Sequence, residues 1–197
     1  LDYLGYRCNA TFSIAPGEDF AIQIEGSGKH AFPAPFAVVT QPATYGKALS
    51  SYPNKCWSAT VDKGAGPEAV RLVRFELVRG LEIAANVDDV TACGDGVSEI
   101  EATSGQITGT LTIELEAKHI ATTGDDNFWY AAHAADIDCE IVLTRDDGDQ
   151  LVTITIPKAR FTEIQPENGD RRRQLVMPFI AQPTTADDEY SIRWEVQ

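Results

Sequence analysis

The chain has 197 residues, 43% of them apolar and 23% charged, which excludes wholesale disorder and leaves room for a sizeable core without disulfide staples. Thirty acidic residues against sixteen basic ones give a formal charge of −14 and a pI near 4.5, the opposite of the clustered Lys and Arg that neutralise nucleic-acid phosphates. No apolar run approaches the roughly 20 residues that cross a bilayer, so no membrane partner is expected. Leu1–Ile14 lacks the charged-then-apolar order of a signal peptide, and the chain opens on Leu1 rather than on methionine, so an upstream segment or domain is expected to be missing.

Period-two alternation dominates from the start. Cys8, Ala10, Phe12 and Ile14 fall on one face of a first strand and Phe20, Ile22 and Ile24 on one face of a second, with Ala15-Pro16-Gly17-Glu18 as the hairpin turn between them. Lys29–Lys55 then breaks the rhythm. Pro33, Pro35, Pro42 and Pro53 exclude ladder pairing, yet Phe32, Phe36, Tyr45 and Tyr52 are too many aromatics for a merely solvated loop. These four are candidate subunit-contact residues on an assembly arm. Val70–Arg79 reads as a central strand apolar on both faces, with Val73, Phe75 and Leu77 opposite Val70, Leu72 and Val78. Leu72 is thereby a further candidate contact, its face expected to be covered by a helix or by a neighbouring subunit.

Ile107, Gly109, Leu111, Ile113 and Leu115 alternate with Thr108, Thr110, Thr112 and Glu114. Asp126–Ala135 is the one helical stretch, capped by Asp125 or Asp126, with Phe128, Trp129 and Ala132 as its apolar face. Asp136–Thr144 returns to alternation through Ile137, Cys139, Ile141 and Leu143, and an Asp-Gly turn at Asp146–Asp149 leads into Val152, Ile154 and Ile156. Glu163–Arg173 is a second polar break, ending in Arg171, Arg172 and Arg173. Leu175, Met177 and Phe179, and then Tyr190, Ile192, Trp194 and Val196, complete the set of strands. One wet and one buried face per strand is typical of antiparallel sheets. The expected fold is therefore a single all-β domain over 1–197, an antiparallel β-sandwich or partial barrel with one flanking α-helix.

The residues offer little for catalysis. There is no G-x-S-x-G, no G-x-x-x-x-G-K and no H-E-x-x-H. His30, His119 and His133 are scattered and read as core or surface histidines. Cys8, Cys56, Cys93 and Cys139 form no C-x-x-C pair; Cys8 and Cys139 take inward strand positions as small buried thiols. Cys56 and Cys93 fall in loops and are expected as thiols, though an oxidising compartment would let them pair. Asp146–Asp149 lacks the glutamate that a calcium loop needs at its twelfth position, and it reads with Asp88-Asp89, Asp125-Asp126 and Asp187-Asp188-Glu189 as an acidic turn. No catalytic, cofactor-binding or metal residue is assigned, and no enzyme is expected. Arg171, Arg172 and Arg173 read as a solvated turn or as a contact for an acidic neighbour. Two alternatives stay open: a carbohydrate-binding or adhesin-like module stacking sugars on Tyr45, Tyr52 and Trp57, and a jelly-roll hydrolase with paired carboxylates.

Four segments bear a resemblance. Ile107–Glu114, ITGTLTIE, resembles a Gly-containing strand of bacteriophage tail tube proteins, and Val152–Phe161, VTITIPKARF, is similar to a strand of that family whose proline precedes a bend. Asp187-Asp188-Glu189-Tyr190-Ser191-Ile192 looks like its closing acidic turn and terminal strand, and Phe20–Gly26 resembles a strand that precedes its long loop. The order of elements matches over nearly the whole chain, most closely over residues 99–197. Gly80-Leu81 stands where the family often has Gly-Asn. The resemblance implies a β-sandwich with a flanking helix that forms homo-oligomeric, commonly hexameric rings. Such rings stack with other tail proteins around a channel that DNA traverses without specific binding. It implies a virion tail location, assembly in the bacterial host cytoplasm, and no cofactor.

Overall fold

The computed structural model describes residues 3–15, 21–30, 57–87, 97–120, 128, 138–146, 148, 150–169, 172–185 and 188–196. Its strands are β1 (Tyr3–Ile14), β2 (Ala21–His30), β3 (Trp57–Asp62), β4 (Pro67–Val70), β5 (Leu72–Val87), β6 (Val97–Glu114), β7 (Asp138–Asp146), β8 (Gln150–Phe161), β9 (Gln165–Asn168), β10 (Arg173–Ala181) and β11 (Ser191–Val196). Every pairing is antiparallel. All eleven strands belong to one sheet, in the order β2-β1-β5-β6-β10-β8-β7-β3-β4, with β11 on β8 and β9 on β10.

Two devices fold this sheet over its own inner face. The first is the join between β10 and β8, which runs only through Phe179↔Phe161, Ile180↔Arg160 and Ala181↔Ala159. Earlier residues of β8, Gln150–Thr155, give their edge to β11 instead. Pro157 lies between the two pairing zones and opposite a register shift in β7, between Cys139 and Ile141. Proline has no N–H to donate, and an extra residue at a bulge bends and twists its strand, so the ladder changes partner there. The second device is the junction of β4 and β5, separated by Arg71 alone, which brings the far wing of the sheet back beside the middle of the near one.

Residues of both wings therefore share one core. Phe75, Leu77, Leu111, Ile113, Leu175 and Phe179 of one wing pack in a single buried cluster with Val61, Ile141, Leu143, Ile154 and Ile156 of the other. Phe12 of β1 meets Tyr190, which precedes β11, with ring centroids 6.1 Å apart. The alternation read from the sequence is the alternation of burial: Ile141, Leu143, Ile154, Ile156, Leu175, Met177 and Phe179 are all buried. Cys139 is buried with them, and desolvation pushes its thiol up to about 12. Cys8 is a half-buried free thiol, while Cys56 and Cys93 lie outside the described residues. The strands flanking the first expected turn pair as a hairpin, β1 with β2 down to Ser13↔Ala21, while Pro16, Gly17 and Glu18 of the turn lie outside the described residues. In the β7–β8 turn, Asp146 Oδ1 accepts the Gly148 N–H at 2.9 Å while Gly148 takes the left-handed φ of 86°.

Several expectations need correction. Among the described residues no α-helix is complete, and Phe128 alone has α-helical backbone. The helix expected over Asp126–Ala135 lies outside them except for Phe128, which is fully buried. The helical element described in full is a short 3₁₀ turn, Ala117–Ile120. Val70–Arg79 is not one strand but the end of β4 and the start of β5. A register shift between Leu72↔Ile113 and Arg74↔Thr112 leaves Val73 as the extra residue. Alternation is reset there, so Val70 and Leu72 belong to the core with Phe75 and Leu77, and the second apolar face shrinks to half-buried Val73 and Val78. Glu163–Arg173 is not wholly loop: Gln165–Asn168 forms β9 and Arg173 already belongs to β10.

Candidate assembly surface

The edge strand β2 is the first part of the surface. Phe12↔Ile22 and Ala10↔Ile24 are directly opposed pairs, so Ile22 and Ile24 point to the same side as the buried Phe12. Yet they remain 50% and 60% exposed. Among the described residues no strand pairs with the outer edge of β2. An edge of unpaired backbone groups carrying apolar side chains is a template for another strand. Ile192 of β11, opposite Ile154, is 37% exposed as well.

Two ribbons continue the surface. β1 pairs with β5 only through Ala10–Ile14 and Phe75–Arg79. Beyond this contact β1 and β2 run on as a pair, Tyr3–Asn9 against Glu25–His30, and β5 and β6 as another, Gly80–Val87 against Val97–Gln106. Because β1 and β5 are antiparallel neighbours, both ribbons leave the core at the same end. The β5–β6 ribbon reaches roughly 25 Å at the ordinary strand rise. Two-stranded ribbons are marginal in water by themselves; β1 and β2 also approach β6, and the overhangs are candidates for contact with a neighbour.

The opposite end of β6 is tied down within the chain. Arg172 Nη1 donates to both carboxylate oxygens of Glu114, at 2.7 and 2.6 Å, while Arg71 lies 3.6 Å from the same carboxylate and 3.7 Å from Glu116. Its hydrogen bonds to Arg172, and then the charges of Arg172 and Arg71, hold Glu114 below the usual glutamate range. The outer face of β5, β6 and β10 carries an open groove of about 320 Å³ between Val73, Arg74, Glu76, Thr110, Glu167 and Val176.

The sequence-derived contact residues fare unequally. Phe32, Phe36, Tyr45, Tyr52 and Arg171 lie outside the described residues. Leu72 is half-buried against the core rather than on an outer face. Arg172 is exposed but committed to Glu114, and Arg173 is exposed at the start of β10, where its carbonyl accepts the Leu115 N–H at 2.9 Å. Trp57, the candidate sugar platform among the described residues, is half-buried and packed against the core. Sequence reasoning placed Ile22 and Ile24 inward, which is their side of the sheet, but missed that nothing described covers them. The pattern of a strand shows which side chains share a face; it does not show whether the strand lies at an edge.

No protein-family model matches the chain, and no curated protein matches it. The solved structures that overlap it in part include the two that follow. The tail tube of SPP1, a hybrid structure from solid-state NMR and cryo EM, covers 72% of this chain and 78% of its own, at 10% identity and a TM-score of 0.43. A mutant Hcp1 protein from E. coli EAEC 042 covers 72% of this chain and 97% of its own, at 11% identity and a TM-score of 0.34. With TM-scores below 0.5 neither overlap bears on function; the chain's own surfaces do.

Proposed function

We propose that this chain is a non-catalytic structural subunit of a phage or prophage tail tube, assembling into stacked, hexameric rings around a channel for DNA. The observation that supports assembly is the β2 edge, which no strand among the described residues pairs and where Ile22 and Ile24 stay half exposed. The kind of assembly comes from the resemblance. Its ITGTLTIE segment is the middle of the sheet, paired on both sides by β5 and β10, and its VTITIPKARF segment is the strand at which the sheet turns over. The residues that resemble the family are thus those that set the course of the sheet.

In this reading β2 and the overhanging ribbons meet neighbouring subunits. Phe32, Phe36, Tyr45 and Tyr52 make the arm that reaches along the tube, Arg171 and Arg173 meet acidic surface of the next copy, and other tail proteins cap the stack. The fourteen excess negative charges suit a wall past which DNA slides, since like charge denies phosphates a place to settle. Virion tail and assembly in the host cytoplasm follow from the same reading. Negative-stain microscopy of the concentrated, purified chain tests it: rings or tubes are expected. A monodisperse monomer at every concentration, together with binding on a glycan array, overturns it in favour of a sugar-binding module.

A further inference from the structure

We propose that His119 is a pH-sensitive latch: neutral, it holds the 3₁₀ turn Ala117–Ile120 and Phe128 against the β4 edge, and when protonated it releases both. The imidazole is fully buried, with its ring centroid 5.1 Å from that of Phe128, which in turn meets Phe161 edge-on at 6.5 Å. Its Nδ1 accepts the backbone N–H of Glu116 at 3.2 Å. That nitrogen is therefore unprotonated, and the neutral ring carries its proton on Nε2, which lies 3.4 Å from Glu68 Oε1 on β4.

The charges around the ring are of both signs, two carboxylates that favour a cation and an ammonium that opposes it. From β4 comes Glu68, and its Oε1 already sits 2.5 Å from Lys118 Nζ. From the residues of the turn itself come Lys118 and Glu116, 3.7 Å apart. From the β3–β4 connection comes Lys63, whose ammonium lies 4.9 Å above the Phe128 ring, so that ring already serves one cation. A second proton on His119 must go to Nδ1, where it would face the Glu116 N–H and break the side-chain bond that ties the ring to the start of the turn. Burial, with a smaller contribution from Lys118, outweighs the pull of Glu68 and Glu116 and holds His119 below the ordinary histidine range. An opened state with ordinary histidine behaviour binds the proton more readily. The closed state therefore loses ground as pH falls below about 6.5 and stops losing it below the folded-state pKa.

The inference does not depend on the tail-tube reading. Hydrogen exchange of the whole chain between pH 7.5 and 5, corrected for intrinsic rates, tests it alongside the His119→Phe variant, which keeps a ring against Phe128 but cannot titrate. In the wild type, protection of Glu116–Ile120 and of the peptide holding Phe128 should fall by up to about tenfold per pH unit, while β8 and β10 stay protected. In the variant that dependence should vanish. Unchanged wild-type protection across the range, or the same dependence in the variant, overturns the latch. Should the variant fail to fold, NMR titration of the wild-type imidazole decides, and a pKa at or above the ordinary histidine value overturns it.

Discussion

Gly109 illustrates how a single residue carries a packing decision. It lies on the inner face of β6, opposite Leu77 and Phe179, and a Cβ there would sit 2.6 Å from the Glu76 carbonyl oxygen and closer still to the tip of the Phe179 ring. The ring uses that space to lie over Phe75, with centroids 6.2 Å apart. Gly109→Ala should destabilise the fold by about 1–3 kcal/mol, the ordinary cost of overpacking a core, read as a drop of several degrees in Tm; an unchanged Tm would show that the ring moves aside freely. Asp188 is a second such residue. Its Oδ1 accepts the backbone N–H groups of Thr184 at 2.7 Å and Thr185 at 3.0 Å, and its Oδ2 accepts both threonine hydroxyls. The Thr184 hydroxyl first, and then the Thr185 N–H, bring its pKa down to about 2. A depressed carboxylate stabilises its turn above the ordinary aspartate value near 3.9, and the effect fades as pH falls through about 2. Carboxyl NMR titration should give that low midpoint for Asp188, and Asp188→Asn should loosen the approach to β11 at neutral pH; a midpoint near 3.9 would remove the argument.

At the scale of elements, β2 is the strand whose surroundings least satisfy it. A lysine on its inner-facing side is a recognised way of blunting an edge. Ile24→Lys removes apolar surface that is already 60% exposed, so it should leave Tm within about 0.5 kcal/mol-equivalent of the wild type. If β2 joins a neighbour it should nevertheless prevent ring or tube formation in the microscope. Normal assembly of this variant would move the contact elsewhere. The elements also divide by how visible they are in the amino-acid order. β7, β8 and β10 are legible because in each a buried face alternates with a more open one, with a period of two. β9 is not, because Gln165, Pro166, Glu167 and Asn168 are all exposed and pair only through backbone. The bulge at Val73 is invisible for a different reason: it depends on the register with β6, which no local pattern in Val70–Arg79 specifies.

For the whole molecule, charge makes the plainest prediction. Affinity for DNA grows with the phosphates a protein neutralises, and a chain at −14 has few cations to spare, with Arg172 already held by Glu114. A mobility-shift experiment at low salt should show no complex up to micromolar protein. A tight, salt-sensitive complex would mean that Arg171 and Arg173 form a working basic patch after all.

What the sequence by itself determined is the class of the fold and the membership of its core, since alternation of apolar and polar residues is a local property that a strand converts directly into two faces. It also determined the acidic field, which needs no structure at all. The order β2-β1-β5-β6-β10-β8-β7-β3-β4 was decided by tertiary structure, through a proline and a bulge that pass β8 from one partner to another. So was the exposure of Ile22 and Ile24. Identical alternating patterns serve a covered strand and an edge strand equally well, and only the position of the opposite wing makes the difference between a buried isoleucine and one left for a neighbour.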